Sequence, residues 1–176
     1  DHSFKFKPIR QVEIPKPNGG ICKLSIPGPR DKVVQKVMTM ALEEIYEPKF
    51  LNSSHGFRPK KGTHSALNSV TRWAGTKWFI EGEISKCFDT LDRHILEQLL
   101  KKEIFSKPFI DLYWKVMKSD YINPVNKVKE FNTVGVPQGG VLSPILSNIY
   151  LHELDKFMQI IVDESNKSGP TSIDNS

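Results

Sequence analysis

Two short runs of alternating hydrophobic and polar residues, joined by a proline- and glycine-rich turn, stand near the start of this 176-residue chain. The first run covers 10–14 and the second covers 21–26, with Asn18-Gly19 between them. Alternation with a period of two is typical of β-strands, and Asn-Gly is a dipeptide that tight hairpin turns favour. The pattern predicts an N-terminal β-hairpin, and the rest of the chain must cover its apolar face.

Helical periodicity follows the hairpin. Apolar residues recur three and four positions apart between Asp31 and Pro48, which predicts one helix with a buried stripe. The stripe comprises Val33, Val34, Val37, Met38, Ala41, Leu42 and Ile45.

The remaining chain mixes helices and strands. Helices are predicted over 63–73, after Asp92 as an N-cap, from Pro108, and from Ser143 or Pro144. Strands are predicted over 77–84 and 127–136. The mixture predicts an α+β fold, in which the hairpin precedes helices packed on a small antiparallel sheet.

Positive charge is concentrated in the first third of the chain. Residues 1–62 hold 12 Lys and Arg against 6 Asp and Glu, whereas 63–176 hold 13 against 14. The formal net charge of +5 therefore comes from the first segment. A solvated surface is one interpretation, and a basic face for a polyanion is the other, since phosphate contacts release counterions.

Composition excludes several classes of protein. No stretch approaches 18 apolar residues, so neither a membrane-spanning helix nor a membrane partner is expected. Two cysteines 65 positions apart exclude a disulfide scaffold, and no Cys/His cluster has zinc spacing. Residues 164–176 are polar and aperiodic, which predicts a disordered tail. Because residue 1 is Asp, we expect the chain to begin inside a longer protein.

Three segments with uncommon sequences stand in a particular order. They are the hairpin of 12–27, the loop Ser54-His55-Gly56-Phe57-Arg58-Pro59, and the turn Gly135-Val136-Pro137-Gln138-Gly139-Gly140 that leads into Ser143-Pro144. Together they resemble the fingers and palm of an organellar-type group II intron-encoded reverse transcriptase, also called a maturase, over about residues 8–160. The resemblance implies a right-hand polymerase fold, with a fingers-like region at 1–75, a partial palm at 76–163 and the polar tail at 164–176.

The resemblance also implies that basic residues of the first third contact nucleic acid. Lysine is a mobile point charge that can reach a phosphate. The candidates are Lys16, Lys23, Arg30, Arg58, Lys60 and Lys61. A solvated hairpin tip is the alternative for the first two, and a packed turn with a satisfied arginine is the alternative for the loop. Phe57 in that loop is predicted to lie in the core.

The glycine-rich turn and one aromatic residue complete the implied nucleotide site. In the family this turn lies against the primer–template end and the incoming nucleotide, so Gln138 and Gly139 are candidate binding residues. Glycine lets the backbone approach a ligand closely, and glutamine both donates and accepts hydrogen bonds. Phe88 matches the family's aromatic gate against ribose 2′-hydroxyls. A plain helix-initiating turn is the alternative for 137–140.

Glu83 occupies the position at which the family places its first metal-binding aspartate. Nucleotidyl transfer uses two metal ions, and Mg²⁺ requires oxygen ligands at about 2.0–2.1 Å. The resemblance therefore implies that Glu83 is the catalytic and metal-binding residue, with Mg²⁺ as the cofactor if the chain is active. The extra methylene of Glu displaces the carboxylate, and a misplacement of about 1 Å can cost ~100-fold in rate.

Two further departures from the family concern polymerase activity. Cys22 stands where the family usually has arginine, and the palm hairpin with Tyr-x-Asp-Asp, expected soon after Asp155, is missing. We therefore expect an RNA-binding maturase-like domain of the group II intron splicing and retrotransposition family, without polymerase activity in this chain alone. An active RNA-directed DNA polymerase completed by a missing segment or a second chain is one alternative. A structural RNA-binding subunit of an organellar ribonucleoprotein, such as a mitochondrial ribosome, is another, and an inert fragment is the third.

The compartment follows from composition and the resemblance together. Lys outnumbers Arg 20 to 5, a bias that suits an AT-rich genome. The resembling family occurs in bacteria and organelles, so the predicted location is the mitochondrion, with the bacterial cytoplasm as the alternative.

Overall fold

The computed structural model describes residues 4–15, 19–74, 76–123, 125, 127–131 and 134–167. Its strands and helices follow one another in a mixed order. They are β1 (Ile9–Pro15), β2 (Ile21–Ile26), α1 (Pro29–Tyr46), a 3-10 turn (Glu47–Lys49), α2 (Thr63–Val70), α3 (Cys87–Thr90), α4 (Arg93–Lys101), α5 (Lys107–Met117), β3 (Tyr121–Ile122), β4 (Lys129–Glu130) and α6 (Ser143–Lys167).

The predicted N-terminal hairpin is confirmed. β1 and β2 pair antiparallel, with Arg10 opposite Ile26 and Pro15 opposite Ile21. The predicted antiparallel sheet is wrong in one respect, because β1 pairs parallel with β3 and the four-stranded sheet has the order β2-β1-β3-β4. The described residues between β1 and β3 form five α-helices, and such a long crossover allows the parallel direction.

Helix α1 buries only part of the apolar stripe predicted for it. Met38 and Leu42 are buried, whereas Val33 and Val37 are more than three-fifths exposed. The buried face also carries polar residues, and its members are Asp31, Gln35, Met38, Thr39, Leu42 and Tyr46. Periodicity alone favoured the apolar stripe, whereas the polar side chains are buried because backbone groups of neighbouring segments hydrogen-bond to them.

The core lies where α1, α4, α5 and α6 meet. Tyr113, Leu42, Leu96, Leu100 and Leu146 are among its largest fully buried side chains. The capping prediction for α4 is confirmed, since the Asp92 carboxylate accepts hydrogen bonds from the backbone N–H groups of His94 at 2.7 Å and Ile95 at 3.1 Å. These capping bonds lower the pKa of Asp92.

Other predicted elements also differ from the structure. Of the strand predicted over 127–136, the described residues form only β4, Lys129–Glu130, and the helix predicted over 63–73 ends at Val70. Residues 77–84 form no strand, and within the described residues no strand pairs with them. Their apolar side chains are exposed, with Ile80 at 94%. Helix α6 continues to Lys167, past the predicted start of the polar tail, and residues 168–176 lie outside the described part. Among the described helices, none is both long and apolar enough to cross a membrane.

Candidate nucleic-acid interface

A cleft of about 340 Å³ lies where the hairpin, the loop after α1, helix α3 and the start of α6 converge. A space of this size falls within the range of small-ligand sites. Its lining combines two aromatic rings with the glycine-rich turn. The lining residues are Leu24, Phe57, Phe88, Gln138, Gly139, Gly140, Ser143 and Pro144. The structure therefore brings together Phe88, Gln138 and Gly139, which the resemblance proposed from distant parts of the sequence.

The segment before the turn is joined directly to helix α3. The N–H of Val136 donates to the carbonyl of Phe88 at 2.7 Å, and the N–H of Gly135 donates to the carbonyl of Leu91 at 3.1 Å. At Gly135 the φ angle is +75°, and an added Cβ would lie 2.5 Å from the carbonyl oxygens of Phe88 and Asp89. Only glycine combines this conformation with so close an approach. Phe88 and the turn are thus held in a fixed relation.

Gln138 is held at both its backbone and its side chain. Its carbonyl accepts a 2.7 Å hydrogen bond from the N–H of Ser25 in β2, which ties the turn to the hairpin. Its amide nitrogen Nε2 donates to Asp89 Oδ2 at 3.0 Å. Because a carboxylate only accepts, this contact determines which end of the amide faces Asp89.

The buried polar face of α1 receives the residues that follow the turn. Gln35 Oε1 accepts from the N–H of Val141 at 2.9 Å, and the Thr39 hydroxyl lies 3.4 Å from the Val141 carbonyl. The Ser143 hydroxyl also donates to the carbonyl of Pro137 at 2.6 Å. These bonds explain why α1 buries Gln35 and Thr39 while Val33 and Val37 stay exposed.

Arg93 is a site residue that the sequence reasoning missed. The residue is only 5% exposed. Its guanidinium donates to the carbonyls of Gly135 at 2.6 Å and Val134 at 3.2 Å. The Tyr113 hydroxyl donates to the Arg93 carbonyl at 2.8 Å. Burial lowers the pKa of Arg93 and raises that of Tyr113. No local motif marks this arginine, because its partners lie about 40 residues away along the chain.

Two aromatic rings form one wall of the cleft. The ring of Phe57 meets the ring of Phe88 nearly edge-on, with centroids 6.3 Å apart and an interplanar angle of 75°. The prediction that Phe57 lies in the core is wrong, since 70% of this residue is exposed. Its exposed ring adds an apolar surface to the cleft that the resemblance did not assign.

The prediction that Arg58 contacts nucleic acid is wrong. It is 8% exposed, and its guanidinium pairs with the Glu47 carboxylate at 2.8–3.2 Å. It also donates to the carbonyls of Leu51 at 2.6 Å and Ser54 at 2.8 Å, and it lies over the Phe50 ring. A guanidinium with its donors used inside the loop does not reach a phosphate. The packed-turn alternative describes this residue.

The other basic candidates have different surroundings. Lys60 is exposed at the loop surface. The Lys61 ammonium donates to the carbonyl of Asn52 at 3.0 Å, and its pKa is lowered by partial burial and then by the nearby Arg58. Arg30 is exposed at the start of α1 and lies 5.0 Å from the centroid of the Phe4 ring.

The side chains of the two hairpin lysines lie outside the described part of the structure. Lys16 lies outside the described residues. Lys23 belongs to β2, but its side chain also lies outside the described part. Both stay predictions from the sequence.

Glu83 lies in the exposed segment 76–84. Among the described residues, no group of three or more His, Cys, Asp or Glu side chains is arranged to hold a metal ion. The two carboxylates of this segment, Glu81 and Glu83, do not by themselves supply the oxygen set that Mg²⁺ requires. The described side chains therefore do not fit a two-metal centre.

Comparison with known proteins identifies the family of this chain. Residues 14–163 match the family described as reverse transcriptase (RNA-dependent DNA polymerase). An uncharacterized 91 kDa protein in a cob intron of Schizosaccharomyces pombe is 45% identical over 168 residues, which are 95% of this chain and 21% of that protein. The group II intron-encoded protein LtrA of Lactococcus lactis is 39% identical over 175 residues, covering 98% of this chain and 29% of LtrA.

Two further comparisons agree with these. The uncharacterized mitochondrial protein ymf11 of Marchantia polymorpha is 39% identical over 130 residues, which are 73% of this chain and 16% of that protein. A chain of the partial Cas6-RT-Cas1–Cas2 complex has the same fold, with a TM-score of 0.52 and 21% identity over 90% of this chain and 27% of that one. The chain spans less than a third of the length of these relatives. It belongs to the reverse transcriptase family, with group II intron-encoded proteins among its relatives.

Proposed function

We propose that this chain is the fingers and partial palm of a group II intron maturase-like reverse transcriptase, and that it binds RNA in the cleft between the hairpin and α6. The observation that carries the proposal is the convergence of Phe88, Gln138 and Gly139 on one cleft. Aromatic rings offer stacking surfaces for bases. Gly139 lets the turn pack closely against the hairpin, since a Cβ there would lie 2.5 Å from the Ser25 carbonyl oxygen. The proposed boundary between fingers and palm lies near residues 75 and 76.

The positive charge of the first third of the chain supports RNA as the proposed ligand. The first 62 residues carry 12 Lys and Arg against 6 Asp and Glu, and they include the hairpin and the loop that border the cleft. Lys60 and Arg30 are exposed on this part of the chain. Surface cations of this kind supply affinity for a phosphate backbone without sequence specificity.

We propose binding in preference to nucleotidyl transfer for this chain. Glu83 replaces the family's aspartate, and the described carboxylates form no metal-binding group. Membership in the reverse transcriptase family favours the second candidate, an RNA-directed DNA polymerase that uses Mg²⁺. Primer extension on an RNA template with Mg²⁺ separates the two, because incorporation of nucleotides by this chain would contradict the first.

A partner strand is proposed for the segment 76–84. Trp78 and Ile80 on this segment are 84% and 94% exposed, which is costly for apolar side chains unless another element covers them. A strand from a second chain, completing the palm, is the proposed occupant. Cross-linking to a second polypeptide through a cysteine introduced at Ile80, in a variant in which Cys22 and Cys87 are replaced by serine, tests this pairing.

The proposed location is the mitochondrion, and the proposed process is intron splicing. Similarity to the mitochondrial protein of Marchantia supports the location, and similarity to LtrA, a group II intron-encoded protein, supports a connection with group II introns. Fractionation of cells with an antibody against this chain tests the location.

Filter binding to a structured intron RNA over 50–200 mM salt tests the proposed function. Phosphate contacts predict that the logarithm of the association constant falls linearly with the logarithm of the salt concentration. The Gly139→Ala variant should bind more weakly at every salt concentration, while Gly82→Ala serves as the matched control. An equally weak and salt-independent signal from all three proteins would favour the inert fragment.

A further inference from the structure

Phe57 combines an unfavourable backbone conformation with an exposed aromatic ring. Its φ angle is +55°, in the left-handed region that bulky side chains rarely adopt. Its 70% exposure means that burial in the core does not compensate this strain. Strained residues of this kind cluster at ligand sites and persist where the surrounding structure determines their conformation.

The residues on both sides of Phe57 are held by separate parts of the fold. The carbonyl of Gly56 accepts a 2.8 Å hydrogen bond from Asn148 Nδ2 in α6. On the other side, Arg58 is buried and its guanidinium is paired with the Glu47 carboxylate and with two loop carbonyls. These anchors hold the backbone over 56–58 and direct the strained residue toward the cleft that it lines.

We propose that Phe57 stacks on a nucleobase of single-stranded RNA bound in the cleft. The inference rests on the proposed RNA binding and assigns a base-contacting residue to it. The Phe57 ring lies beside Phe88 and shares the cleft with Gln138, so it offers an apolar surface next to polar groups. A phenyl ring has no hydrogen-bonding atoms, and every base has a flat face, so the contact accepts any base.

The test separates base contacts from backbone contacts. Hexauridylate and a hexamer of the same ribose-phosphate backbone without bases are titrated against the wild-type chain and the Phe57→Gly variant. The ratio of the two dissociation constants measures the contribution of the bases. One aromatic stack corresponds to roughly 5- to 150-fold in affinity, so this ratio should fall by that factor in the variant. The salt dependence should stay the same, because no phosphate contact is removed.

Stability and a matched control distinguish stacking from a structural role. Glycine adopts positive φ readily, so the unfolding midpoint of Phe57→Gly should be unchanged or higher. Phe57→Trp should keep the ratio, and its added tryptophan fluorescence should fall when hexauridylate binds. Phe105→Gly removes a ring that is 92% exposed and does not line the cleft, so it should behave like the wild type.

Four results would overturn the proposal. If Phe57→Gly unfolds, Phe57→Leu keeps the bulk without the aromatic face, and an undiminished ratio in that variant contradicts stacking. A lower midpoint together with an equal loss of affinity for both hexamers assigns Phe57 a structural role. If the wild type binds both hexamers and the ratio is unchanged in Phe57→Gly, only stacking fails. A wild type that binds neither hexamer also contradicts the proposed function.

Discussion

Replacing Gly135 by alanine should destabilise the fold strongly, because two separate costs act at this position. The φ angle of +75° costs a non-glycine residue about 1–3 kcal/mol. The new Cβ would also lie 2.5 Å from two backbone carbonyl oxygens, and relieving such an overlap costs about 1–3 kcal/mol more. The expected loss in the free energy of unfolding is therefore about 2–6 kcal/mol.

The overlap cannot be relieved by a side-chain rotation. The two oxygens belong to the backbone of Phe88 and Asp89, so either helix α3 or the segment 134–136 must move. That movement would lengthen the hydrogen bonds from Val136 to Phe88 and from Arg93 to the Gly135 carbonyl. RNA affinity should therefore fall along with stability.

Urea unfolding followed by far-UV circular dichroism measures the predicted loss. Gly82→Ala is the control, because its added Cβ meets no atom within 4 Å and its backbone lies outside the left-handed region. The control should change stability by no more than about 0.5 kcal/mol. A Gly135→Ala variant that unfolds at the same urea concentration as the control would refute the reasoning.

Three other predictions concern single side chains. Arg58→Lys should lower the free energy of unfolding by about 2–3 kcal/mol in urea unfolding, because lysine cannot replace the paired contacts with Glu47 and the two loop carbonyls; an unchanged midpoint would contradict this. Gly139→Ala should weaken RNA binding in a filter assay, since its Cβ would lie 2.5 Å from the Ser25 carbonyl at a φ of +87° and push the hairpin from the turn; equal affinity would contradict the proposed interface. Burial, and then the charge of the nearby Lys156, lowers the pKa of His152 from its usual 6.5. Because the folded state favours the neutral ring, the free energy of unfolding should fall as the pH drops below about 6.5. His152→Phe should reduce that pH dependence in thermal unfolding, and an identical dependence would assign it to other groups.

Local patterns in the sequence were sufficient for the elements whose contacts are local. The hairpin followed from alternation around Asn18-Gly19, and the N-cap of α4 followed from Asp92. Ser143 was one of the two predicted starts of α6 and begins that helix in the structure. In each case the residues that determine the element lie within a few positions of one another.

The remaining features depend on contacts between distant segments. The apolar stripe of α1 correctly predicted the burial of Met38 and Leu42 but not the exposure of Val33 and Val37. The buried face also includes Gln35 and Thr39, which hydrogen-bond with Val141, more than 100 residues away. The segment 77–84 has strand-like composition, but a strand requires a neighbour, and none is present in the described chain.

The residues of the candidate site likewise fall into those that the sequence identifies and those that depend on tertiary contacts. The resemblance identified Phe88, Gln138 and Gly139 as site residues, and the fold places them in one cleft. It also suggested a phosphate contact for Arg58, whereas the burial of this side chain against Glu47 and Phe50 depends on tertiary packing. Arg93 had no sequence signal, since its partners are carbonyls of the segment around Gly135.

Photo-cross-linking tests the proposed RNA site most directly. An intron RNA containing 4-thiouridine is irradiated with the chain, and the linked peptides are identified by mass spectrometry. We expect cross-links at Phe57 and Phe88 and within 137–140, and we expect competition by unmodified RNA. Cross-links confined to the exposed end of α6 or to β3 and β4, with none at the cleft, would contradict it.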